Sequence, residues 1–141
     1  MNGFLLDTNV PSELMRPMPE PRVEAWLEAA DDERLYFSVV SLGEIVKGVS
    51  LLASGRKRRE LERWLETTLR PWFGTRILPF DEAVARRWGA LSAQSERKVR
   101  KLKVADAMIA VTALVHDLTV VTRNVKDFAG QGVAVFNPWG S

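Results

Sequence analysis

A chain of 141 residues with 46% hydrophobic and 27% charged residues has the composition of an ordinary globular protein, and residues 1–141 are expected to form one domain. The formal net charge is only +2, cysteine is absent and His116 is the single histidine, so disulfides and thiolate metal sites are excluded and a bound metal must be held by oxygen. No apolar stretch is long enough to span a membrane and no cationic region precedes the Phe4 to Leu6 segment, so a cytoplasmic protein without a secretory signal is expected.

Short apolar runs alternate with amphipathic stretches along the chain. The first strand is centred on Leu5 and Leu6 and stops at "DTN", where Asp7 and Asn9 have the chemistry of an Asx turn and Pro11 suits a first helical position. Val23, Trp26, Leu27 and Ala30 then share one helical stripe. "RLYFSVV" (34–40) reads as the second strand. The helix after it is expected to begin near Ser41, whose spacing to Glu44 matches an S-x-x-E capping box, and to end before Gly55.

Five of the eight residues from Arg56 to Arg63 are basic, but Glu60, Glu62 and Glu66 interleave with them, as on a solvated helix face. Leu61, Trp64, Leu65 and Leu69 form the apolar stripe of that helix. "TRILPF" (75–80) is the third strand, Asp81 an N-cap, and Val84, Trp88 and Leu91 the stripe of the next helix. A second basic run follows, five of seven residues from Arg97 to Lys103, with only Glu96 beside it. "KLKVADAMIAVTALVHD" is apolar on most sides and predicts a central, buried helix, followed by strands "LTVVT" (118–122) and "GVAVF" (132–136). The five tryptophans read as core or interface residues. Strands that are apolar on both faces suit a parallel sheet covered on both sides, which predicts a three-layer α/β/α domain.

In such a sheet, ligands bind outside the carboxyl ends of the strands, so the acids that follow strands are the informative ones. Asp7 follows the first strand, Glu44 comes soon after the second, Asp106 opens the apolar helix, and "TRNVKDF" after the fourth strand offers Asn124 and Asp127. Each has an ordinary explanation as a turn former, cap or helix-dipole partner. Convergence on one sheet end favours chemistry instead. Clustered carboxylates repel one another until a cation neutralises them, and an all-oxygen, partly hydrated site suits Mg²⁺ or Mn²⁺. Such a site supports phosphodiester hydrolysis. A covalent nucleophile set and a glycine-rich phosphate loop are both missing from the sequence.

"LLDTNV", the Glu of "SLGEIVKGV", "ADAMIAVTA" and "VTRNVKDF" stand in the order and approximate spacing of PIN-domain ribonucleases, and the chain resembles the VapC-type toxins of toxin–antitoxin pairs. "RILPFDEAVA" and "AVFNPW" are similar to the FitB branch of that group. The resemblance implies a five-stranded parallel sheet in order 3-2-1-4-5 and a Mg²⁺- or Mn²⁺-dependent RNA endonuclease. It also implies a homodimer and a small VapB/FitA-like antitoxin that binds operator DNA, the two joined in a larger hetero-oligomer. Carried over, Asp7, Glu44 and Asp106 are the metal ligands and catalytic acids. Asn124 occupies the fourth catalytic position, where the FitB-like pattern often has Asp, with Asp127 three residues on. Asn9 and Thr122 tie the strand-end loops behind the ligands. Arg97, Lys98, Arg100, Lys101 and Lys103 are candidate RNA contacts at the rim. The competing reading, prompted by Asn124, is a catalytically weak PIN scaffold that binds protein or nucleic acid.

Overall fold

The computed structural model describes residues 2–97 and 102–140. Five parallel strands, β1 (Phe4–Leu6), β2 (Leu35–Ser38), β3 (Ile77–Leu78), β4 (Thr119–Val121) and β5 (Val135–Phe136), form one sheet in the order β3-β2-β1-β4-β5. Leu5 is in register with Tyr36 on one side and Val120 on the other. Because successive strand residues face opposite ways, Leu6, Leu35, Phe37 and Val121 enter one apolar core while Leu5, Tyr36 and Val120 enter the other.

Helices cover both faces. The first core is closed by α1 (Asn9–Glu13), α2 (Pro21–Ala29), α3 (Val39–Ser50) and a long helical segment made of α4 (Arg56–Trp64), a π turn (Leu65–Leu69) and α5 (Arg70–Phe73). The rings of Phe37 and Phe73 stack at 4.9 Å across it. The second core is closed by α7 (Val104–His116), backed by α6 (Glu82–Glu96), and by Phe128. The three-layer α/β/α architecture and strand order therefore agree with expectation. Among the described residues no helix is long and apolar enough to cross a membrane.

Several local expectations are corrected. The second strand ends at Ser38, which lies three residues before Ser41 and caps α3, its hydroxyl accepting the Val40 N–H at 3.0 Å. A β-branched pair, Val39 and Val40, mimics a continuing strand, but the serine cap decides the boundary. Ser41 is consequently buried inside the helix and forms no capping box with Glu44. Pro11 is the third residue of α1, not the first, and Gly55 precedes α4 rather than closing α3, which ends at Ser50. The third and fifth strands shrink to two residues each. In α4, Arg56 pairs with Glu60 and Arg58 with Glu62, so part of the first basic run is an ion-paired helix surface.

Candidate active site

β1 stops at Leu6, yet the Asp7 N–H still donates to Val121 O at 2.9 Å, so the backbone carries the pairing one residue beyond the strand. The Asp7 side chain is thereby held at the joint between β1 and β4, only 7% exposed. One of its oxygens, Oδ1, accepts the Thr8 N–H at 2.8 Å, and Oδ2 accepts the Thr122 hydroxyl at 2.8 Å. Thr122 in turn accepts from the Asn9 side-chain amide at 3.3 Å and from the Asn124 N–H at 3.0 Å, which uses its one donor and both acceptor positions. Asn9 and Thr122 thus lock two distant loops behind Asp7. Burial pushes the Asp7 carboxyl above its ordinary value, and the Glu44 and Asp127 charges add to that, against the hydrogen bonds from Thr122 and Thr8.

Glu44 lies in the second turn of α3 and is exposed, but its Oε1 accepts the Thr8 hydroxyl at 2.8 Å. Asp106 is in the first turn of α7, where the helix dipole favours an anion. It is nevertheless half-buried, and its pKa is pushed up to about 6, first by burial and then by the charges of Asp127, Asp7 and Glu44, with Lys103 acting in the opposite sense. Asp7 and Asp106 both feel the charges of Glu44 and Asp127 because all four face one space.

That space is a cleft of about 450 Å³. Asp7, Glu44, Asp106, Asn124 and Asp127 all line it, with Lys103 at its edge. Asn124 and Asp127 reach it from a 3₁₀ turn, Val125–Phe128, that Asn124 caps and that buried Phe128 anchors in the second core. The Asp127 N–H donates to Asn124 O at 3.0 Å, closing this turn. Among the described residues no three acids converge tightly enough to be a ready-made metal cluster. The donor set still fits a hard divalent cation: its anionic groups are all carboxylates, and two of them, Asp7 and Asp106, have pKa values raised by burial first and then by the charges of neighbouring acids.

Of the basic residues singled out near the pocket, Lys103 lines the cleft and Arg97 is exposed at the end of α6, away from the lining. Lys98, Arg100 and Lys101 lie outside the described residues. Sequence reasoning missed Thr8, which holds Glu44, and Ser12, which lines the cleft; the signal for Thr8 was its place directly after Asp7. It also missed Arg123, which lies beside Asn124 with its guanidinium 5.8 Å from the Trp139 ring.

The PIN domain family model matches residues 4–130. The toxin FitB of Neisseria gonorrhoeae is 44% identical over 96% of this chain and 98% of its own. The VapC ribonuclease Y4jK of Sinorhizobium fredii is 36% identical over 96% of this chain and 97% of its own. A solved structure of FitAB bound to an IR36 DNA fragment superposes with a TM-score of 0.90 at 42% identity, covering 98% of this chain and 96% of that one. With its sheet order, its strand-end acids and these likenesses in agreement, the chain belongs to the PIN-domain family, alongside the FitB and VapC toxins.

Proposed function

We propose that the protein is a Mg²⁺- or Mn²⁺-dependent endoribonuclease toxin, with Asp7, Glu44 and Asp106 as metal ligands. The observation that carries this reading is the single cleft in which a buried, rigidly oriented Asp7 meets Asp106, Glu44 and Asp127, the four acids coming from four separate segments of chain. A divalent ion held by these oxygens would activate water and stabilise the charge that develops at a phosphodiester. The Thr122 and Thr8 contacts fix Asp7 against rotation, so its free oxygen lone pairs keep one direction toward the cleft. Thr8 performs the same service for Glu44. Lys103, at the edge, is placed to meet a phosphate oxygen. Asn124 offers an amide without charge, and Asp127 supplies the fourth negative charge in its stead. That charge is what favours a working nuclease over a weak binding scaffold.

The partner is a small antitoxin of the kind paired with FitB and VapC, active in the cytoplasm and binding operator DNA as a complex built around a toxin dimer. An apolar groove of about 470 Å³ between α1, α3 and α4 suits it, because Met15, Ile45, Leu52, Leu61 and Trp64 line the groove and Glu44 belongs to both groove and acid cleft. An occupant of the groove would therefore crowd the acids. The test is incubation of partner-free protein with a panel of structured and single-stranded RNAs, with Mg²⁺, with Mn²⁺ and with a chelator. Internal cleavage that requires the ion is expected. No cleavage of any RNA, together with no binding of either ion, would remove the nuclease reading.

A further inference from the structure

Three depressions follow one another along the carboxyl edge of the sheet, and the acid cleft is the middle one. On its β2 side lies the apolar groove, which shares Thr8, Ser12 and Glu44 with it. On its β5 side lies a cleft of about 570 Å³ lined by Arg123, Lys126, Asn137 and Gly140, which shares Asn124 and Asp127 with it. An enzyme that cuts within a strand must hold nucleotides beside the scissile bond, and the two flanks offer them very different surfaces. The β2 side is mostly aliphatic and aromatic, and of its two cations Arg16 is engaged by Glu13.

The β5 side is built for an anion. Among the described residues neither Arg123 nor Lys126 forms an ion pair, although Glu20, already bonded to Arg22, lies within the field of Arg123. Arg123 is held at both ends: its N–H donates to Asn9 Oδ1 at 3.4 Å and its guanidinium lies over the Trp139 ring. Asn137 Oδ1 accepts the Trp139 N–H at 2.9 Å, which leaves its NH₂ group as a donor at the cleft wall. The short loop that carries both cations is pinned at either end by buried Thr122 and Phe128. Among the described residues the one acid on the lining is Asp127, on the border with the acid cleft, where a bound divalent ion would offset it.

We propose that this β5-side cleft is a phosphate-binding subsite for the RNA backbone next to the scissile bond, with Arg123 and Lys126 as its cations and Asn137 as a neutral donor. The assignment rests on the nuclease reading, and it gives the substrate a direction: the strand runs from the acids toward β5, away from the apolar groove. Contacts of this kind position RNA without reading its sequence.

The test uses the full chain in chelator, so that nothing is cut, and the fluorescence anisotropy of a short labelled single-stranded RNA across a salt series. The double variant Arg123→Ala/Lys126→Ala is expected to weaken binding about tenfold and to reduce the salt slope by about 0.7 for each phosphate that is no longer neutralised. Lys126→Ala alone, which disturbs no packing, should give a smaller weakening of the same kind, and Arg123→Lys should retain most of the binding. Arg86→Ala/Arg87→Ala on α6 serves as the charge-matched control and should change neither quantity. In Mg²⁺ the double variant should raise KM for RNA with kcat nearly unchanged. Wild-type affinity and slope in both Lys126→Ala and the double variant would overturn the subsite, as would weakened antitoxin binding with RNA binding intact. If those variants cleave like wild type, the subsite fails and the nuclease reading stands. If wild type cuts no RNA, the nuclease reading fails, and the anisotropy series still decides whether the cleft binds the polyanion.

Discussion

Asp106 concentrates the electrostatic conflict of the site. In the unfolded chain it ionises near 3.8, whereas in the folded protein it keeps its proton until about pH 6. Between those values the folded state binds more protons than the unfolded one, so the contribution of Asp106 to stability falls as pH rises from about 4 to about 6, and the cost persists above that. In the metal-free protein, Asp106→Asn should remove this slope and raise stability at pH 7 by about 1 kcal/mol after allowance for solvent screening, with little change at pH 4. Denaturant titrations in chelator across this range provide the check. The same variant should lose the stabilisation that Mn²⁺ gives wild type. Asp127 belongs to the same balance, because its charge, after burial, is the largest influence on Asp106. Asp127→Asn is expected to weaken Mn²⁺ binding by about tenfold in calorimetry, and adding Asn124→Asp should recover most of it, since both side chains border one cleft. Equal affinity in wild type and Asp127→Asn would make Asp127 a loop residue only.

At the scale of elements, the parallel sheet brings the site together, and its packing leaves little room for error. Gly3, at the entrance to β1, sits so close to β2 that an added Cβ would lie 2.5 Å from Arg34 O and 2.9 Å from the Tyr36 ring. Gly3→Ala should therefore destabilise the fold by about 1–3 kcal/mol while leaving kcat unchanged at temperatures where the protein stays folded, as followed by thermal melts and cleavage rates. Strand identity was legible because Leu5, Leu6, Val120 and Val121 are buried on both faces, a pattern without a polar side. Boundaries were less so: Val39 and Val40 have strand propensity, and only the Ser38 cap shows why they are helical. The π turn at Leu65–Leu69 has no sequence period of its own; its Leu65 O accepts from Arg70 N–H just before Pro71, a residue with no N–H of its own to bond back to Thr67. For the site, Asp7, Glu44 and Asp106 could be named from their places after strands. The hold of Thr8 on Glu44 could not, since it joins residues 36 positions apart and depends on how the fold brings the end of β1 beside α3.

Over the whole molecule, the carboxyl edge of the sheet offers three neighbouring surfaces of different chemistry: apolar, acidic and basic. A protein inhibitor and a polyanionic substrate can then approach one set of acids from opposite sides. Met15→Glu, placed in the apolar groove at a partly exposed position, should weaken antitoxin binding by at least about tenfold, because a desolvated charge is costly in such an interface, and leave RNA cleavage by the free toxin unchanged. Inhibition titrations against the antitoxin would separate the two effects. The central claim is that the strand-end acids act together as a metal-dependent RNA-cleaving site. It is tested most directly by the single-turnover cleavage rate of one RNA substrate in Mn²⁺ for wild type and Asp7→Asn, with folding of both verified by circular dichroism. A rate at least about a hundredfold lower in folded Asp7→Asn, as expected when a group acting on the transition state is lost, is the predicted result; equal rates in the two proteins would contradict it.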